Sequence, residues 1–153
     1  MEADLTALDP RFRTVLRIEG AIRALIILAG AVAAEALTPI WPGTFLIPAL
    51  LIAVWLGFIA PARRFARWGY QFGEDQLRIT RGYLFQSDTV VPLGRIQHID
   101  VHQGPIMRRY GLAELRVHTA GNHNASVSLP GLAHQDALAM RESIRVHIKQ
   151  AQV

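Results

Sequence analysis

The sequence predicts an α+β protein: a two-helix transmembrane hairpin, then a small antiparallel β-barrel or sandwich closed by a C-terminal helix. Three observations point there. Two long apolar runs precede residue 61. Period-two alternation then governs the chain from Trp68 to Pro130. Helical spacing returns near the C-terminus.

The second apolar run is the clearer one. Thr44 to Ala60, TFLIPALLIAVWLGFIA, carries no charge. As a helix it reaches about 26 Å at ~1.5 Å per residue, close to a hydrocarbon core of ~30 Å. Pro48 lies near its start, where lost backbone bonding is easiest to accommodate. The first run, Ile18 to Leu37, is interrupted by Glu19, Arg23 and Glu35. Those charges sit near its ends, where long side chains reach the interface. Ala29, Gly30, Ala33 and Ala34 are small enough for close helix contact. Thr38 to Gly43, TPIWPG, reads as the turn, with Trp41 suited to an interface. The late start of the first run and the prompt second run do not fit a signal peptide. A soluble helical hairpin would need a larger protein shell than this chain supplies.

Orientation follows from the arginines. Arg11, Arg13 and Arg17 precede the first run, Arg63, Arg64 and Arg67 follow the second, and the turn between has none. The positive-inside rule then puts both ends in the cytoplasm, with a short turn outside. The expected layout is a cytoplasmic N-terminal segment at 1–17, a membrane hairpin at 18–62 and a cytoplasmic domain at 63–153. Arg63, Arg64 and Arg67 are topology determinants first and an attraction for anionic lipid second.

Charge and composition exclude several classes. The net charge of +4 comes from 16 Lys and Arg against 12 Asp and Glu. No dense basic face forms, so nucleic acid is not an expected partner. The absence of Cys removes disulfide and thiolate chemistry.

After Trp68, Leu77 and Ile79 alternate with polar neighbours, as do Ile99 and Val101, Leu115 and Val117, and Val127 and Leu129. This marks six or seven half-buried strands. Gly73, Gly82, Gly94, Gly104 and Gly121 fall at the breaks. From Ala133 the apolar residues Ala137, Met140, Ile144 and Ile148 recur at helical spacing, after Pro130 and Gly131.

The segment RIQHIDVHQGPIMRRYGL, Arg95 to Leu112, concentrates the polar candidates. His98, Asp100 and His102 share a strand face and are residue types that bind zinc or non-haem iron. Their side chains diverge along a flat strand, and a further ligand would have to come from His118 or His123. The preferred reading is a solvated face opposite buried Ile99 and Val101. Arg108 and Arg109 belong to a short connection, with Ile106 and Met107 packing inward. No motif of a serine hydrolase, phosphate-binding loop or zinc protease is present. The expectation is therefore no catalysis, no cofactor and no metal.

The longer motif VVPLGRIQHIDVHQGPIMRRYGLAELRVHTAG, with SLPGL after it and LDPRFR (Leu8 to Arg13) before, resembles the bacterial membrane-anchored pleckstrin-homology-like family, YdbS-like. The resemblance covers about 140 residues. It implies a pleckstrin-homology-like (PH-like) domain, a plasma-membrane location and no known catalysis. It also implies a larger membrane protein with several such domains as partner, beside the lipid bilayer itself, and leaves room for a homo-oligomer. The family's characteristic residues fall on Pro92, Arg95, Ile96, Gln97, His98, Asp100, Gly104, Arg108, Gly111, Leu112, Thr119 and Gly121. In such a domain Arg95 and Gln97 would fix turns by bonding backbone carbonyls. Structural and interaction roles are thus expected for Arg95, Gln97, His98, Asp100, Arg108 and Gly111. The expected function is a non-catalytic docking module for another membrane protein. The alternatives are an anionic-lipid headgroup module, for which the first hairpin offers Arg78 and Arg81 against Asp88, and a metal-dependent enzyme.

Overall fold

The computed structural model describes residues 5–39, 41–82, 85–120 and 126–151. Two compact units divide it: residues 13–66, and a second unit built from residues up to Phe12 together with Arg67 onward.

The first unit is a helix pair. Helix α1 runs Arg11–Leu37. Helix α2 (Leu46–Val54), a π-helical stretch (Trp55–Ile59) and α3 (Ala60–Ala66) continue as one helix of 21 residues. Both helices are long and apolar enough to cross a bilayer. Small residues bring them together: Ala24, Ala31, Ala49 and Ala53 are the buried ones. A Cβ at Gly20 would come within 2.3 Å of the Leu56 carbonyl oxygen, inside the π-helical stretch. Only a glycine lets the backbones approach this closely. The packing face thus differs from the expected one. Ala29, Gly30 and Ala33 point outward, because the helix rotation presents Gly20, Ala24 and Ala31 instead.

Glu35 also takes an unexpected role. It accepts from the backbone N–H of Gly43, of Phe45 (3.1 Å) and of Leu46 (3.3 Å). These are orphan donors at the start of α2, which a carboxylate satisfies and its charge favours. Thr44 Oγ1 donates to the Trp41 carbonyl at 2.7 Å and holds the same turn. Glu19 and Arg23 lie 3.5 Å apart, one helical turn along α1.

The second unit holds two antiparallel sheets. One has the order β1-β2-β3-β4 (Thr6–Ala7, Gly69–Phe72, Gln76–Gly82, Gln86–Pro92). The other has the order β5-β6-β7 (Ile96–His102, Leu112–Thr119, Ser126–Ala133). The barrel alternative falls away: the sheets stay separate, with β4 and β5 at ends of different sheets and a 3₁₀ turn, Leu93–Arg95, between them. Helix α4 (Pro105–Arg109) links β5 to β6, and α5 (His134–Ala151) packs on β5, β6 and β7. The core draws on both sheets and α5: Leu77, Ile79, Leu115, Val117, Leu129, Ala137 and Ile144 are fully buried. At ~25 cal/mol per Å² of apolar surface removed from water, this burial is what holds the unit together.

Strand β1 was not legible as a strand. Thr6 pairs with Tyr70 and Ala7 with Gly69, so the residues before the helix pair complete the sheet that begins after it. Asp9 N–H donates to the Gly131 carbonyl at 2.9 Å, and Phe12 is buried. Pro130 and Gly131, expected to precede the last helix, lie inside β7, where the register against β6 shifts. Gly131 has φ +73°, and a Cβ there would lie 2.6 Å from the Phe12 ring. Both its conformation and its neighbour call for glycine.

Candidate functional site

Strand β5 carries most of the sequence candidates, and its position explains their surroundings. It is the end strand of its sheet and pairs with β6 alone among the described residues. Gln97, His98, Asp100 and His102 are exposed. Ile99 and Val101, expected to be buried, are only half-buried, and Ile99 lines a cleft against α5.

His98 faces His118 across the β5–β6 ladder, with ring centroids 5.9 Å apart. Asp100 Oδ1 lies 2.9 Å from His98 Nε2, and its Oδ2 lies 3.5 Å from His118 Nε2. The carboxylate thus sits between two imidazoles on an exposed face. His102 falls opposite Glu114 and does not join them. Among the described residues no group of three or more His, Asp or Glu has the arrangement to hold a metal ion. His123 and Gly121 lie outside the described residues.

The turn after β5 is fixed by a residue the sequence reading passed over. Gln103 Nε2 donates to the Leu112 carbonyl at 2.8 Å and ties the two ends of the α4 connection. Gln97, the expected turn-fixer, instead lines a cleft against α5. Arg95 contributes its carbonyl, which accepts from Ala120 N–H at 3.1 Å. Gly111 ends α4 with φ +66°, and its carbonyl accepts from His134 N–H at 3.0 Å. The left-handed backbone there aims the carbonyl at the start of α5. Arg108 and Arg109 are exposed in the last turn of α4, and Ile106 and Met107 are half-buried.

The cleft beside β5 has a volume of about 490 Å³. One wall is α5, which presents Arg141, Arg145 and Lys149 at four-residue intervals. The other basic candidates are placed elsewhere. Arg63 and Arg64 lie in the last turn of α3, and Arg67 follows in the chain. On the first hairpin, Arg78 Nε bonds both oxygens of Asp88 (3.0 and 2.9 Å). Thr80, the buried polar residue of β3, reaches Asp88 Oδ1 at 3.4 Å. The Arg78 guanidinium holds the Asp88 carboxyl below its ordinary range, and Arg11 does the same for Asp9 at the start of α1.

A membrane-spanning helix pair joined to two antiparallel sheets and a closing helix defines the class: a transmembrane protein with a PH-like domain. The model of the bacterial PH domain family matches residues 23–147, and the chain belongs to that family. It is similar to the transmembrane protein YdbS of Bacillus subtilis (strain 168), with 30% identity over 143 residues, covering 90% of this chain and 88% of that protein. No solved structure gives a significant match.

Proposed function

We propose that this bacterial transmembrane protein is a non-catalytic interaction module. Its PH-like domain is held at the cytoplasmic face of the plasma membrane and docks a second, larger membrane protein. The proposed layout is a cytoplasmic N-terminal segment at 1–17, two membrane crossings within 18–62 and a cytoplasmic domain at 63–153. The observation that carries it is the pairing of β1 with β2. Residues on either side of the helix pair share one sheet, which supports a layout with both flanks on one side of the bilayer. Arg11, Arg13 and Arg17 before the helices, and Arg63, Arg64 and Arg67 after them, favour the cytoplasmic side. Tethering in this way raises the local concentration of the domain, so a weak contact suffices for docking.

Against the headgroup alternative stands the hairpin. Arg78 is engaged by Asp88, which leaves Arg81 as the exposed cation of that strand. The roles proposed for Arg95, Gln97, His98, Asp100, Arg108 and Gly111 are accordingly structural or contact-forming. The test is affinity purification of the tagged full chain from native membranes in mild detergent. A second integral membrane protein in fixed ratio is the expected result. Repeated recovery of this chain by itself would overturn the reading.

A further inference from the structure

The cleft between β5 and α5 combines three features. Among the described residues no strand pairs with the outer edge of β5, so its backbone N–H and C=O groups are available to another strand. Ile99 from β5 and Ile148 from α5 give the cleft an apolar lining. Arg141, Arg145 and Lys149 line the helical wall as a row. Their four-residue spacing sets them about 6 Å apart along the helix, at ~1.5 Å per residue. Alternate side chains of an extended strand are about 6.5–7 Å apart. The two spacings are close, so alternate side chains of an extended strand can each meet one cation of the row. The negative groups nearby leave the row in surplus: Asp100 is shared between His98 and His118, and Glu142 approaches Arg145 only to 3.8 Å.

From this we infer that the cleft binds an extended acidic segment of a partner protein, which adds as a fourth strand to the free edge of β5. Its carboxylates, at alternate positions, meet Arg141, Arg145 and Lys149. This rests on the docking reading above and gives the partner its chemistry. Backbone pairing supplies register and affinity, and the cation row supplies selectivity. A phosphate headgroup fits less well. It concentrates its charge at one point, whereas these cations are spread along two turns of helix.

Two experiments test the inference and separate it from the docking reading. In the first, the full chain in nanodiscs of zwitterionic phosphatidylcholine is titrated with a short amidated peptide that alternates glutamate with valine or threonine. Amide hydrogen exchange is followed by NMR. Slowed exchange of the outward-facing β5 amides is expected. The pair Arg145→Glu and Lys149→Glu should weaken binding at least tenfold, and Arg141→Gln alone several-fold. Arg81→Glu, on β3, should leave it unchanged. Unchanged β5 exchange, or equal binding by the charge-reversed variant with an unaltered melting point, would overturn the inference. So would protection that arises only with phosphatidylglycerol nanodiscs and not with peptide, which would make the cleft a lipid site. In the second, the native-membrane purification is repeated with the charge-reversed variant. A partner captured equally by wild type and variant overturns the cleft and leaves docking standing. No partner with wild type overturns docking itself.

Discussion

The helix pair and the PH-like unit bury their apolar side chains in opposite senses. On α1 and α2, Leu25, Ile26 and Leu51 are 66–69% exposed. In the sheets, Leu77, Ile79, Leu115 and Leu129 are fully buried. The same residue type is thus spent on two solvents. The sheet unit hides its leucines from water and is held by the hydrophobic effect. Beyond Val15 and Leu16, which are buried at the start of α1, the helix pair turns Leu25, Ile26 and Leu51 outward to lipid and hides alanine and glycine, because lipid gives no reward for burying a leucine. A chain of uniform hydropathy would hide this division, whereas the split into a charge-free run and an alternating run discloses it.

The comparison can be broken at several points. The largest effect is expected from Leu115→Ala. It removes a fully buried side chain of β6 and should cost about 2–5 kcal/mol, read as a lowered denaturation midpoint of the detergent-solubilised chain. A midpoint within error of wild type would mean that the sheets are not the stability-bearing unit. Next comes Gly131→Ala, which forces a methyl toward the Phe12 ring from a left-handed backbone. It should cost about 1–3 kcal/mol and loosen the N-terminal strand, seen as faster exchange at Thr6 and Tyr70.

Acid should act on the sheet unit through two carboxylates. Asp9 and Asp88 are both held below the ordinary value, mainly by hydrogen bonds from Arg11 and Arg78. A depressed carboxyl stabilises fully above its unfolded value, near pH 4, and the contribution fades as pH falls through the folded value. The melting point should therefore drop on acidification below about pH 4. Asp88→Asn should lower it slightly at pH 7 and flatten that acid slope. An unchanged slope would remove the Arg78–Asp88 pair from the account. The smallest effect is expected from Leu25→Ala, an outward position of α1. It should stay within about 0.5 kcal/mol, in contrast to Leu115→Ala, and a large loss would place Leu25 against a protein partner in the membrane.

Much of the fold was legible because it rests on simple periods. The charge-free run at Thr44–Ala60 and the alternation at Leu115–Val117 each announce their surroundings. What escaped has a common cause: it depends on how elements meet. A two-residue strand such as β1 has no period to detect. Glu35 looks like a blemish in an apolar run, and only the return of the chain makes it a cap for α2. Gly20 is no more conspicuous in sequence than Gly30, yet helix rotation selects the former. At the site, the exposed row of His98, Asp100 and His102 was visible from alternation, whereas the exposure of Gln97 beside it was not. Nor was the half-burial of Ile99, because the cleft beside a strand leaves no local mark. Gln103, outside every motif residue singled out, does the tying that Gln97 was expected to do. The cation row of α5 was legible in principle from its four-residue spacing, but it gains meaning only beside an open strand.

The pairing of β1 with β2 carries one more consequence. Thr6 leaves the ribosome long before Tyr70, and between them lie both hydrophobic helices. In the proposed layout, the earliest strand to be made is therefore among the last to find its mate, since insertion must first return the chain to the side from which it started. A polypeptide that threads the bilayer once too few or once too many strands those two segments on opposite sides. Its sheet would lack an edge strand, and its Gly131 carbonyl would lose the Asp9 amide. Under that layout, correct insertion is read out in the folding of the sheet unit.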